Sequence, residues 1–343
     1  MTRQDVRSLG AGRVALWCGV VGACLLAAIA LGVSFGAGKV TLVQLLPWGP
    51  PASDVDLDIL LRVRLPRVLL AAILGGALSV AGVCFQALLR NPLADPYVLG
   101  VSGGASIGGV LALVLGASSG MLRDLGVPLM AFAGALGALL LIEWVATVDR
   151  RLTVYNVLLT GAIFNAFSSA LIYFVQSLAT LEELRDIVVY LMGRFPVWEL
   201  ERVAPVALIC VPVLIALYAM SRDFNAFSLG EEAAQQLGVD VERVKRRTFI
   251  LASLLTGLAV SVAGLIGFVG LIIPHVLRML LGPDHRILLP TAFLGGGAFL
   301  VLSDLAARLL IAPGELPVGV VTALIGGPFF LYLLRTHRRR YGF

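Results

Sequence analysis

"ALSVAG" at Ala77–Gly82 returns as "AVSVAG" at Ala259–Gly264, 182 positions later. The same offset pairs Pro92 with Pro274 and Gly100 with Gly282, so the match keeps register beyond the hexapeptide. Each copy lies in a long apolar run rich in small residues: Gly75, Gly76, Ser79, Ala81 and Gly82 in one, Gly257, Ser261, Ala263 and Gly264 in the other. In lipid, water supplies no apolar drive between helices, and small residues let two backbones approach closely enough to pack. The number of membrane crossings between the copies decides whether they run parallel or opposed.

The 343 residues are 59% hydrophobic and 14% charged, against about 25% charged for an ordinary soluble domain. Continuous apolar runs long enough to span a bilayer as helices recur at approximately 14–35, 68–89, 97–117, 126–147, 155–178, 203–220, 248–265, 287–310 and 317–334. A shorter apolar piece lies at 268–281. The runs do not alternate, which excludes a β-barrel. The first is too long for a signal-peptide core and reads as a retained span. Cys18, Cys24, Cys84 and Cys210 all fall inside runs without metal-like spacing, and no metal site is expected.

Arg3, Arg7 and Arg13 precede the first run, and Arg335 and Arg338–Arg340 follow the last. Both termini are therefore expected on the cytoplasmic side, and nine crossings cannot return the chain there. Counting 268–281 as a short tenth crossing repairs the parity and leaves 17 Lys/Arg inside against 9 outside. The net charge of +5 is thus read as orienting the chain in a membrane, not as contacting nucleic acid. Five crossings separate the two hexapeptides, so they enter the bilayer in opposite directions. That is an inverted repeat, an arrangement on which many transporters build a central pathway. The expectation is an all-α, polytopic transmembrane bundle of about ten helices, one domain over 1–343, with halves at approximately 64–178 and 246–334.

"RNPLADPYVLGVSGGASIGG" (Arg90–Gly109) interrupts this pattern with Pro92, Pro96 and several glycines, and Asn91 and Asp95 stand where helix starts need caps. It reads as a cytoplasmic turn or as a re-entrant segment. In the run 155–178, Asn165, Ser169, Tyr173 and Gln176 share an arc of about 80°. Such a stripe lines a translocation pathway, faces a second subunit or forms interhelical hydrogen bonds; lipid tolerates it poorly. Ionisable residues inside the runs are few, Glu143 and Asp304 near their ends, which argues against an ion-coupled carrier. "GAGKV" at Lys39 lacks the spacing and the Ser/Thr of a phosphate-binding loop. The chain is expected to have no catalytic chemistry of its own, and any uphill transport needs energy from another subunit.

One acidic segment stands out, "SLGEEAAQQLGVD" at Ser228–Asp240, within the cytoplasmic loop of approximately 221–247. Ser228-x-x-Glu231 reads as a capping box opening a short helix, and Gly238 closes it. Ala233, Ala234 and Leu237 are expected on one apolar face, with Glu231, Glu232 and Gln235 around it.

Three stretches resemble the FecCD/BtuC-type permeases of type II ABC importers. They are "RLPRVLLAAILGGALSVAGVCFQALLRNPLADPYVLGVSGGASIG", "GFVGLIIPHVLRMLLGPDHRILLP" and "SDLAARLLIAPGELPVGVVTALIGGPFFLYLL". The likeness runs from about Arg64 to the C-terminus. It implies ten helices per subunit, a homodimer, two cytoplasmic ABC ATPase subunits carrying ATP and Mg, and an extracytoplasmic substrate-binding protein. It implies a multi-pass protein of the inner cell membrane in contact with lipid, with no cofactor on this chain. The cargo would be an iron complex (siderophore or haem), alternatively vitamin B12; an ion-coupled carrier is the remote reading.

By the same resemblance, Ser228, Gly230, Glu231, Glu232, Ala233, Ala234, Leu237 and Gly238 form the helix that seats in the ATPase. Arg64, Arg67 and Arg308, read as lying at outer span ends, match docking points for glutamates of the binding protein; lipid headgroups or Asp54, Asp56 and Asp58 are the alternative partners. Val154 and Tyr155 fall at the gate, where the family member compared carries small hydroxyl residues.

Overall fold

A computed structural model describes residues 11–36, 54–116, 123–149, 151–312 and 314–336. Arg3, Arg7, Lys39 and Arg338–Arg340, used above, lie outside the described residues. The chain forms α1 (Ala11–Ser34), α2 (Asp54–Asp58), a π-helical stretch (Ile59–Arg64), α3 (Leu65–Leu88), a 3₁₀ turn (Pro96–Leu99), α4 (Val101–Val114) and α5 (Arg123–Ala146). A two-stranded antiparallel ribbon follows, β1 (Thr147–Val148) and β2 (Arg151–Leu152), then α6 (Val154–Leu178), α7 (Leu181–Leu191) and α8 (Leu200–Ala219). The remainder is α9 (Ser221–Phe227), α10 (Glu231–Gln236), α11 (Val241–Ala263), α12 (Val269–Leu281), α13 (His285–Leu309) and α14 (Val318–Thr336).

Seven of these helical stretches are long and apolar enough to cross a membrane, and three shorter apolar helices, α4, α12 and α14, complete the set. Each matches one expected run, including the short piece at 268–281. Two differences have plain causes. Helix continues from Val55 through Leu88, so the second span begins well before 68; Arg62, Arg64 and Arg67 had cut the apolar pattern short. Helix α7 was missed because it is short and amphipathic, and it is held by a capping box in which Thr180 and Glu183 satisfy each other's backbone N–H.

Helix α3 is the axis of the bundle, buried along almost its whole length. Its small residues meet backbone: a Cβ on Gly75 would strike the Gly296 carbonyl of α13, and one on Gly82 the Gly270 carbonyl of α12. Close approach is thus a steric requirement of these two glycines. The two hexapeptides do different local work. Gly82 lies mid-helix, whereas Gly264 ends α11 at φ +70° and allows the Arg194 N–H to bond Ala263 O at 2.9 Å. Gly100 and Gly282, the next matched pair, both take positive φ, opening α4 and closing α12.

The 90–100 segment is a turn followed by the 3₁₀ stretch. Asp95 caps it by accepting from the Tyr97 N–H at 2.9 Å, and Asn91 accepts from the Leu93 N–H. Pro96 and Leu99 are buried, and the Tyr97 hydroxyl accepts from the Ile266 N–H at 2.9 Å.

Candidate coupling and translocation site

The segment around α10 is fixed from three sides. Before it, Phe224 of α9 lies against the His285 ring with centroids 5.5 Å apart. Asn225 donates to Asp284 Oδ1 at 2.8 Å and accepts from the His285 N–H at 2.9 Å, so α9 is bolted to the turn that opens α13. Partial burial opposes charge on Asp284, but hydrogen bonds from Arg286 and Asn225 prevail and bring its carboxyl down to about 2. Phe227 of α9, Ala234 of α10 and Val241 of α11 form a small buried cluster beneath α10.

The expected capping box at Ser228 does not form. Ser228 completes the last turn of α9, and its hydroxyl donates back to Asn225 O at 2.7 Å. Gly230, at φ +122°, is the N-cap, and Glu231 turns instead to Lys245 Nζ at 2.6 Å and Arg90 Nη2 at 3.8 Å. A carboxylate facing an ammonium makes the stronger, charge-assisted bond. Gly238 closes the helix as expected, at φ +84°. The expected single apolar face is split: Ala234 points inward and Ala233 is half-buried, while Leu237 is 64% exposed. Leu229 is 69% exposed, and Glu232 and Gln235 are exposed too. The outward side of this element therefore offers two leucines among polar groups.

The ribbon that leads into α6 packs against α11. Leu152, its last residue, donates its N–H to Glu242 Oε2 at 2.9 Å. Thr153 then opens α6 without a side-chain cap, leaving Val154 half-buried and Tyr155 69% exposed in the first turn. Further along α6 the expected polar stripe divides. Asn165 is consumed in packing, donating to Tyr97 O at 2.9 Å. Ser169 bonds Asn165 O at 3.0 Å and is exposed; Tyr173 is exposed and Gln176 half-buried. Phe167 and Phe174 are exposed on the same helix, so much of α6 is an uncovered face of the single chain.

Arg64, Arg67 and Arg308 lie close together, and all three are buried. Arg67 pairs with Asp304 and with Glu315, each at 2.9 Å, and Arg308 pairs with Asp304 at 3.0 Å. Arg64 donates to Val33 O and Ser34 O at 3.0 and 3.1 Å, and Arg308 to Gly32 O at 2.9 Å. The cluster ties the ends of α1, α3 and α13 to the segment before α14. Arg194, half of it in solvent, reaches Glu315 at 3.8 Å. Sequence reasoning missed Asp304 and Glu315 as partners, although a lone carboxylate inside an apolar run signals a nearby cation. It also missed Glu242 and Lys245, which meet the Leu152 N–H and Glu231.

Among the described residues, ten apolar helices packed on a small-residue axis define a multi-pass membrane protein. The FecCD transport family matches residues 24–336, and the chain belongs to that family. It is similar to the cobalamin import system permease protein BtuC of Halobacterium salinarum, 44% identical over 81% of this chain and 73% of that one. The hemin transport system permease protein HmuU of Yersinia pestis is 38% identical over 92% of this chain and 94% of its own. Among solved structures, a metal-chelate type ABC transporter in an inward-facing conformation superposes with a TM-score of 0.83. It is 31% identical and covers 93% of this chain and 98% of that one. The protein is an ABC importer permease, a transport component whose family implies ATPase and binding-protein partners.

Proposed function

We propose that this chain, as a homodimer with two ABC ATPase subunits, imports an iron complex, haem or siderophore, delivered by an extracytoplasmic binding protein. The observation that carries the reading is α10: a short helix anchored to α9 and α11 on its inner side, with Leu229 and Leu237 turned outward as an ATPase would grip them. ATP and Mg bind the partner, this chain holds no cofactor, and both termini face the cytoplasm together with α10. The halves at approximately 64–178 and 246–334 flank the pathway. Val154 and Tyr155 form its gate, and the exposed side of α6, with Ser169, Tyr173 and Gln176, faces the second copy or the pathway.

Arg64, Arg67 and Arg308 outnumber Asp304 and Glu315 by one formal charge. Buried as they are, the arginines act on the binding protein through the field at the Arg194–Glu315 rim, a steering role that salt weakens.

A second reading, cobalamin as cargo, is favoured by the similarity to the permease of Halobacterium salinarum. Competition in proteoliposomes holding the full complex separates the two. ATP-dependent uptake of labelled haem or ferric siderophore that excess cyanocobalamin leaves unchanged supports the iron reading. Uptake of labelled cyanocobalamin that haem leaves unchanged replaces it with the second.

A further inference from the structure

The first turns of α11 bind the end of α5, the ribbon and α10. Lys245 is 7% exposed, and its ammonium lies 2.6 Å from Glu231 of α10 and 3.2 Å from Glu242 on its own helix. Glu242 uses its two oxygens differently: Oε1 faces Lys245, while Oε2 accepts the Leu152 N–H at 2.9 Å. A single residue, Thr153, separates Leu152 from the start of α6. On the other side, Arg246 pairs with Glu143 in the last turn of α5, just before the ribbon. Residues 242, 245 and 246, spaced by three and four, share one side of α11. That side therefore holds the α5 end, the ribbon and α10 at once.

We infer that Lys245 and Glu242 are positioning residues that carry a displacement of α10 sideways, through the first turn of α11, into the ribbon that sets Val154 and Tyr155. The inference rests on the coupling and gating reading above. Each contact in the chain is a charge-assisted hydrogen bond, and such bonds hold direction as well as distance. Lys245 is largely removed from water, which strengthens its pull on both carboxylates relative to a surface pair. The ribbon is two residues to a strand and Thr153 supplies no side-chain cap, so the Leu152–Glu242 bond joins the Thr153 N–H to Ala146 O bond and the buried Leu152 and Val157 side chains in fixing the entry to α6. Two arrangements of this entry, biased by the position of α10, are what coupling requires; proximity alone does not provide it.

The test uses the permease–ATPase complex in proteoliposomes, with Tyr155→Cys in a background lacking the native cysteines and a membrane-impermeant maleimide as the probe. In the parent, adding ATP with vanadate changes the labelling rate at position 155. Lys245→Met and Glu242→Gln are expected to keep the ATPase bound and hydrolysing, yet shrink that nucleotide-dependent change by about fivefold or more. Lys245→Arg, which keeps the charge, restores most of it. A purely structural tie would lower stability without altering the ratio of labelling rates. A full nucleotide response in both variants overturns the relay. If Lys245→Met yields no folded complex, Glu242→Gln and Lys245→Arg decide by the same ratio. A parent that binds no ATPase, or whose labelling ignores nucleotide, instead overturns the coupling reading.

Discussion

Replacing Glu231–Leu237 by a Gly/Ser linker is expected to abolish both recovery of the ATPase with the permease and ATP-driven uptake. The element is six helical residues long, too short to persist without its anchors. Its rigidity comes from Ala234 in the buried cluster with Phe227 and Val241. A flexible linker loses the outward leucines and the stiffness that would transmit force. Because it also opens the buried cluster, Leu237→Asp and Leu229→Asp are the cleaner probes, since both side chains face solvent in the single chain. A buried apolar anchor at a protein interface contributes about 2 kcal/mol or more, so each is expected to weaken ATPase binding by about 30-fold. Thermal unfolding of the isolated permease should stay within about 0.5 kcal/mol of the parent. Titration of the ATPase onto detergent-purified permease reads the affinity; unchanged binding in both variants would remove α10 from the interface.

The second large effect concerns the opposite kind of residue, one with no outward face. Asp304 is 0% exposed and pairs with both Arg67 and Arg308. Asp304→Leu leaves two buried guanidinium groups to share Glu315 and backbone carbonyls, and breaking a buried pair in this way costs about 3–5 kcal/mol. Glu315→Gln, at a partly exposed rim position, should cost about 1 kcal/mol or less. Thermal unfolding of the two variants measures the difference directly. Equal losses would mean that the cluster is wet, and that the arginines are freer to meet a partner than their burial indicates.

The fold was largely legible because lipid enforces a simple rule: every span is a continuous apolar run, and the parity of charged ends fixes the number of runs. Parity made the short run at 268–281 an expected tenth crossing; in the structure it is helix α12, an apolar helix shorter than the seven candidate spans. What the sequence concealed lay where charge and structure coincide. Arg64 and Arg67 read as a boundary, yet they are interior to the helical stretch Val55–Leu88: Asp304 and Glu315 reach Arg67 from more than 230 residues away, and Arg64 bonds Val33 O and Ser34 O. The Ser228 box followed the right spacing and failed because Lys245, distant in the segment, is a better partner for Glu231 than the backbone N–H at the helix start. Gly238, whose role depends only on its own φ, was read correctly. The stripe on α6 was located by periodicity, but periodicity cannot tell that Asn165 faces Tyr97 O while Tyr173 faces outward.

The most direct test is the energy source of uptake by the whole complex in sealed vesicles, with labelled haem and labelled cyanocobalamin offered as cargo. Uptake of one of them that requires ATP and survives ionophores that dissipate proton and sodium gradients is the predicted result. Uptake that proceeds without ATP and collapses with the ionophores would contradict the account.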